Sequence, residues 1–592
     1  MEANVAQIDH NIGDVYAALG RYVEALAKYE DARVVYCKKD MQVDIADVDL
    51  KIGIIYKNLG HPREALAKYE EILVVLDGIS PLPGMLYSHP SKRWLIYSSK
   101  GIVHEDLNEW SNALESYEDA IAVIESIRGG LTSEDLKTAW QEQTQDVYER
   151  LIDLLYRMGE GSSALSYAER CRARTFLDLV AAGPIGTLDN VSEEGIRSGV
   201  VEASVIESDL AEVVAGLPAD TAVLEYFVTD ETTYLWVIHQ GIIHGPEEVP
   251  HGRVELMSQV IACREALEAR NDLAGYHLEE LYAWLIAPVE HLLPDTEGGD
   301  EVPHLAIIPS GPLYYLPFQA LGWVSADFEE RQPLIERYAV TYSPSVVALK
   351  YAQATGDAAL QLSSFLGLAD PDSGNEAFPR LPETQIESRM VAALFTSSRV
   401  FVDAQATEEV AQIHASTASQ IMFSTHGHFN VHNPMFSYLL LAPVEGASDG
   451  ELFAHEIFGL SLQAETVVLS ACETLLPSLQ EMEDQANKVA GRELPEERLP
   501  LTEEQLVELT AGDEIVGLTR AFLSAGASSV LSSLWSVPSL ATEQLMVSFY
   551  VHLQSGMSKA NALRAAQLEV MNIPNYTDPW YWAAFNLTGD WR

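Results

Sequence analysis

Histidine and cysteine are the residues of this chain whose types and spacing could do covalent chemistry. The stretch IMFSTHGHFNVH, Ile421 to His432, places three histidines within seven residues directly behind an apolar run. A second apolar run lies in ETVVLSACET, Glu465 to Thr474, where Cys472 follows His426 by 46 residues. A thiol of ordinary pKa is mostly protonated at neutral pH. An imidazole within reach takes its proton or lowers its pKa, and the product is a thiolate nucleophile. Gly427 allows the backbone to approach a substrate carbonyl closely, so its N–H and that of Cys472 together could form an oxyanion hole. The chemistry expected of this set is attack on a carbonyl carbon, with His426 managing the proton.

The same histidines could instead hold a metal ion. HGH is an HxH pair, like the opening of an HxHxDH zinc site, but Asn430 and Val431 stand where that site needs an Asp and a further His. Without that carboxylate and imidazole the donor set is poor, so no metal is expected and a metal-dependent hydrolase built on HGHFNVH is the weaker alternative. His428, His432 and His455 read as loop or rim residues, with His428 lining the crevice. Cys37, Cys171 and Cys263 are dispersed without a CxxC pair. They read as small buried hydrophobes, and neither a disulfide framework nor an organic cofactor is implied.

Elements must bring His426 and Cys472 together. QIMFS and TVVLS each read as a short strand, and each of the two residues lies just past the carboxyl end of its strand. In open parallel sheets, ligand crevices form beyond those ends, so if the two strands are neighbours the imidazole and the thiol share a crevice. Around them SSFLGLAD, ETQIESRMVAALF, SRVFVD and TEEVAQIHAST alternate strand with helix. That order predicts a mostly parallel sheet covered on both faces. Upstream, TAVLEYFVTDETTYLWVIHQGIIHG (Thr221 to Gly245) alternates apolar and polar residues on both sides of TDET, a hairpin pattern. HLAIIPSGPLYYLPFQAL, His304 to Leu321, is a strand running into a Gly/Pro turn.

The first third is different: IGDVYAALGRYVEALAKYEDA (Ile12 to Ala32) aligns with IGIIYKNLGHPREALAKYEEI (Ile52 to Ile72). Gly13, Tyr16, Gly20, Ala25 and Tyr29 recur as Gly53, Tyr56, Gly60, Ala65 and Tyr69. A third copy, Lys100 to Ala120, carries Gly101, Asn108, Trp110, Ala113 and Tyr117, and a looser fourth runs from Leu151 to Cys171 around Gly159 and Ala164. Small residues at fixed spacing fit close crossings of antiparallel helices, the tyrosines fill the gaps, and Gly20 and Asn108 suit the positive φ of the turns. The pattern resembles the tetratricopeptide repeat at a wider spacing, an all-α solenoid whose concave face binds a peptide or protein.

Composition bounds the function. Of 592 residues, 36 are basic and 88 acidic, a net charge of −52. Such a field repels nucleic acid and anionic lipid, so direct binding of nucleic acid or membrane is not expected. Two readings of the acidity fit, a high-salt cytoplasm that screens self-repulsion or an ordinary acidic cytosolic protein. No apolar run reaches membrane-spanning length and Met1 to Ile12 lacks the form of a signal peptide, so a soluble cytoplasmic protein of two to four domains is expected.

IIPSGPLYYLPFQAL, MFSTHGH, VVLSACET, GLTRAFLSAGASSVLSSLWSV and DPWYWAAFNLTGDW resemble the CHAT family, caspase-like peptidases often carried behind tetratricopeptide repeats. The resemblance covers roughly Thr221 to Arg592. It implies a multidomain chain with a repeat array over residues 1–185, a linker and degenerate caspase-like half over 186–332, and an active caspase-like α/β half over 333–592. It also implies a cysteine endopeptidase related to caspases and separase, with His426 and Cys472 as the dyad, regulated by a partner on the array. Relatives of this architecture act in prokaryotic antiviral defence and cell death on protein substrates such as gasdermin-like pore formers. A non-catalytic scaffold with a caspase-like binding domain is the alternative.

The chain also departs from the family. Pro538, Ser539 and Leu540 stand where an acidic pair usually follows the tryptophan motif. Ser470 stands two positions before the nucleophile, where relatives that cut after basic residues can carry Asp. Ser470 is still placed to touch substrate, and Ser533 and Trp535, in VLSSLW on an expected sheet edge, are candidates to pair with an extended substrate backbone. The acidic insertion at 474–517 reads as a solvated loop or, by analogy with caspases, an activation segment.

Overall fold

The computed structural model describes residues 2–77, 90–131, 134–182, 203–295, 302–322, 332–358, 364–375, 378–430, 434–470 and 517–592. Two compact units divide between Tyr167 and Ala168. The boundary expected near residue 185, nearly all of the acidic insertion, and His432 lie outside the described residues.

The first unit is built from α1 (Glu2–Ala18), α2 (Tyr22–Lys38), α3 (Gln42–Asn58), α4 (Pro62–Asp77), α5 (Pro90–Asp106), α6 (Trp110–Gly129), α7 (Glu134–Met158) and the start of α8 (Gly161–Ala182). Helices pack in consecutive pairs, and the repeat residues explain how closely. A Cβ on Gly13 would lie 2.5 Å from the Tyr29 ring; on Gly53, 2.3 Å from Tyr69; on Gly101, 2.4 Å from Tyr117. The turns use left-handed residues, with φ of +70° at Gly20, +79° at Gly60, +58° at Asn108 and +80° at Gly159. At each, that residue's N–H bonds back three residues and the next N–H bonds back five, as Gly20 to Ala17 and Arg21 to Tyr16 do. This is the Schellman ending, which satisfies carbonyls the helix itself leaves open. Cys171 and Cys263 are buried as expected, but Cys37 is exposed. Ala32 and Tyr36, four apart, hold the inner face of α2, and Cys37 falls one residue round from it.

The second unit carries an eleven-stranded sheet in the order β3-β2-β1-β4-β5-β14-β13-β12-β8-β6-β7. Its strands are β1 (Thr221–Val228), β2 (Thr233–His239), β3 (Ile242–Val249), β4 (His304–Ile308), β5 (Ala339–Tyr342), β6 (Ser364–Pro371), β7 (Ser397–Asp403), β8 (Gln420–Ser424), β12 (Thr466–Leu469), β13 (Ser529–Ser533) and β14 (Phe585–Gly589). A three-stranded sheet holds β9 (Gly427–His428), β10 (Tyr438–Leu440) and β11 (Glu451–Phe453). The expected hairpin is β1 with β2, closed by the Thr229 N–H on the Thr232 carbonyl at 2.8 Å.

Two parallel wings, with β14 between them and the antiparallel β2 and β3 at one edge, make up the large sheet. β1, β4 and β5 are parallel in one, and β13, β12, β8, β6 and β7 in the other. β14 runs parallel to β5 and antiparallel to β13, so the wings run in opposite senses and their carboxyl ends open on opposite edges of the sheet. Helices α9 (Ala203–Gly216), α10 (Arg253–Glu268), α11 (Leu273–Leu285), α12 (Val346–Ala358), α13 (Pro382–Ala392), α14 (Glu408–Ala415), α15 (Gly517–Ser524), α16 (Ser539–Gln554) and α17 (Lys559–Met571) complete the unit. Met422, Val468 and Leu531 face one shared core with α10, α11, α13, α16 and α17. Their neighbours along the strand face the other way, where Phe423 meets Phe522 of α15 at 5.5 Å between rings.

Candidate functional site

β8 and β12 are neighbours, parallel and in register from Thr466 opposite Gln420 to Leu469 opposite Phe423. Both are buried along their length, as the continuous apolar runs QIMFS and TVVL require of central parallel strands. His426 therefore lies two residues past the carboxyl end of β8, and Ser470, level with Ser424 in this register, just past the end of β12. Cys472 itself lies outside the described residues.

The ring of His426 has a fixed orientation. Its Nε2 is 2.7 Å from the carbonyl oxygen of Pro379, and its ring centroid is 5.4 Å from that of Phe378. A carbonyl oxygen only accepts, so the proton sits on Nε2 and Nδ1 is left with the lone pair. The Pro379 loop is held in turn by Arg380, which donates to both carboxylate oxygens of Asp370 at 2.8 and 2.7 Å and also reaches Asp403. Burial pushes the Asp370 carboxyl up, but Arg380, Gln385 and the Leu381 N–H outweigh it and hold the group below its ordinary value. Asp370 and Asp403 sit at the ends of β6 and β7, so three strand ends and one loop fix the imidazole.

Gly427 and His428 form β9, opposite Leu439 and Tyr438 of β10. The His428 ring packs 5.0 Å from Tyr438, and neither residue is a wall of the pocket next to it. His455, expected in a loop, lies instead on the short helix Ala454–Ile457 that follows β11, its ring stacked 5.3 Å from Phe453. Among the described residues no group of three or more His, Cys, Asp or Glu side chains is placed to hold a metal ion.

Ser470, Ser533 and Trp535 do come together. With Thr425, Thr384 and Glu387 they wall a small pocket of about 50 Å³, partly open to solvent, at the carboxyl ends of β8, β12 and β13. The expected sheet edge is overturned, because β13 lies between β12 and β14, with Ser533 opposite Phe585. The backbone of β13 is already paired, so Ser533 can meet a substrate only through its side chain, while Trp535 lies two residues past the strand. The Trp535 ring is anchored by its Nε1–H to the Trp580 carbonyl at 2.9 Å.

Glu387, on α13, is the residue that sequence reasoning missed. It is 2% exposed, and Ser470 Oγ donates to its Oε1 at 2.8 Å. Burial pushes its carboxyl up to about 8, with Glu543 of α16 adding to the rise and Ser470 opposing it. A carboxyl group in that state sits protonated at neutral pH.

A family model described as "CHAT domain" matches residues 276–590. Tetratricopeptide repeat protein 28 of Homo sapiens is 29% identical over 342 residues, covering 53% of this chain and 13% of that protein. Its Mus musculus counterpart is 27% identical over 393 residues, covering 61% and 15%. The chain thus spans only a small part of the length of these curated relatives. Among solved structures, the Saccharomyces cerevisiae separase–securin complex aligns with a TM-score of 0.44 at 10% identity, over 99% of this chain and 47% of that one. The Rap conjugation gene regulator of plasmid pLS20 with its Phr* peptide aligns with a TM-score of 0.23 at 20% identity, over 36% and 56%.

Proposed function

The chain belongs to the CHAT-domain family, and from that premise we propose that it is a cysteine endopeptidase, with Cys472 as nucleophile and His426 as base. The observation that carries the reading is the pairing of β8 with β12, which puts the strand ends leading into His426 and Cys472 side by side. The Nε2 bond to Pro379 adds to it, since it leaves Nδ1 free to take a proton.

In the proposed reaction His426 Nδ1 takes the thiol proton and the Cys472 sulfur attacks the peptide carbonyl carbon. The N–H groups of Gly427 and Cys472 hold the oxyanion. The imidazolium then gives its proton to the leaving amine as the C–N bond breaks, and water, activated by the same ring, hydrolyses the thioester. The reaction needs no metal or organic cofactor. Control would come from a protein or peptide bound by the tetratricopeptide array, as such concave arrays bind partners. The family resemblance suggests regulated proteolysis in prokaryotic antiviral defence or cell death as the setting, with a gasdermin-like or other defence protein as substrate.

The test is to incubate wild-type and Cys472→Ala protein with candidate substrates encoded nearby, with and without candidate activators. A cut made by the wild type alone is expected. Cleavage that survives in Cys472→Ala would remove the mechanism, and cleavage without any partner would remove the control by the array.

A further inference from the structure

The pocket next to the carboxyl end of β8 has one ionisable wall among the described residues. Of the described residues that line it Glu387 is the only acid, none is basic, and Thr384, Thr425, Ser470, Ser533, Ser539 and Thr542 present hydroxyls. Glu387 is almost wholly buried, and Ser470 is its one hydrogen-bond partner among the described residues. A site meant only to be filled would take a leucine or methionine here, because a buried carboxyl with one partner weakens the fold. Its presence asks for a ligand that completes it.

We propose that this pocket receives a lysine or arginine side chain of the substrate, the residue just before the cleaved bond, and that Glu387 reads its positive charge. The assignment rests on Cys472 being the nucleophile. Two peptide units keep the Cα of Cys472 within about 7 Å of that of Ser470, about the reach of a lysine or arginine from its own Cα. A side chain attached at the attacked carbonyl can therefore enter beside Ser470.

The chemistry selects the cation. With the pocket empty, burial and the like charge of Glu543 keep Glu387 protonated. An entering ammonium or guanidinium displaces that proton to solvent and pairs with the carboxylate, while Ser470 continues to donate to Oε1. An acidic side chain would meet Glu387, with the charge of Glu543 behind it adding to the repulsion. An apolar one would cover the carboxyl and the hydroxyls without bonding them, and both mismatches discriminate against the wrong residue. Ser470 is thus not a gap where an acid is missing, because it stands in front of an acid supplied by α13.

The test uses the full chain with Cys472→Ala, which cannot cut, and N-acetyl, C-amidated tetrapeptides ending in Arg, Lys, Leu, Gln or Asp, followed by calorimetry. The Arg and Lys peptides are expected to bind about tenfold or more tighter than the others. Glu387→Gln on the same background should level that preference, and Glu387→Asp should keep part of it. Circular dichroism of both variants confirms the fold. No basic preference, including no binding at all, or a preference unchanged in Glu387→Gln, would overturn the assignment. Hydrolysis of matching fluorogenic peptides by protein with Cys472 intact separates the two readings. Cutting after other residues sinks the pocket assignment and leaves the peptidase; a basic preference in binding with no cutting under any condition sinks the peptidase and leaves the pocket.

Discussion

Asp370 and Glu387 show how two carboxyl groups near one crevice can be held in opposite states. Asp370 is ionised and pairs with Arg380, which steadies the loop whose Pro379 carbonyl accepts the hydrogen bond from His426 Nε2–H. Glu387 is held neutral by burial. The second state has a cost that can be measured without any substrate. In the unfolded chain Glu387 ionises near 4.5, and in the folded protein only near 8. Between those values the folded protein keeps a proton that the unfolded chain has lost. Its contribution to stability is therefore full below 4.5, falls as pH rises, at about 1.4 kcal/mol per pH unit, and has gone above about 8. Glu387→Gln has no such proton to lose. Its melting temperature is expected to gain on the wild type from about pH 5 to about pH 8 and then to hold a constant lead. A lead that does not change with pH would place the titration of Glu387 at its ordinary value.

Helix pairs and strand pairs differ in how much of them the chain announces. Gly13 with Tyr29 and Gly53 with Tyr69 are sixteen residues apart in both copies, and the ring of each tyrosine occupies the space a Cβ would take. Gly53→Ala is expected to cost about 1–3 kcal/mol through overpacking, read as a lower denaturation midpoint. Gly53→Ala combined with Tyr69→Phe should be no better, since the clash is with ring carbons and not with the hydroxyl. Contacts this local were legible in the sequence, as were QIMFS and TVVLS, whose apolar runs and following polar residues mark central strands. The place of β13 was not legible. VLSSLW looks the same at an edge or in the middle of a sheet, and its neighbour β14 comes from more than fifty residues later. Glu387 was hidden for a related reason. In ETQIESRMVAALF it is one polar residue among several on a helix, and only the packing of α13 on α16 and β6 turns it inward. Pro379 was invisible because it acts through a carbonyl that every residue has.

Across the chain, 88 acids against 36 basic residues set a negative field that draws in cationic segments and slows anionic ones. A pocket that reads lysine or arginine would work with that field. The same imbalance repels itself in the folded state. Raising NaCl from about 0.05 M to about 1 M, which shortens the screening length from more than ten to about 3 Å, is expected to raise the melting temperature by several degrees in a thermal scan. A melting temperature unmoved by salt would mean that the acids already lie in locally balanced surroundings.

Of the strands in the large sheet, β14 is the one a ribosome delivers after all the others, yet it belongs in the middle, joining β5 to β13. Phe585, at its start, also closes a wall of the pocket beside His426. While the chain is being made, the two wings must wait side by side without their keystone. A growing polypeptide therefore carries Cys472 and His426 for some time before the pocket next to them is complete, so whatever that pocket receives must wait for the last strand of the sheet.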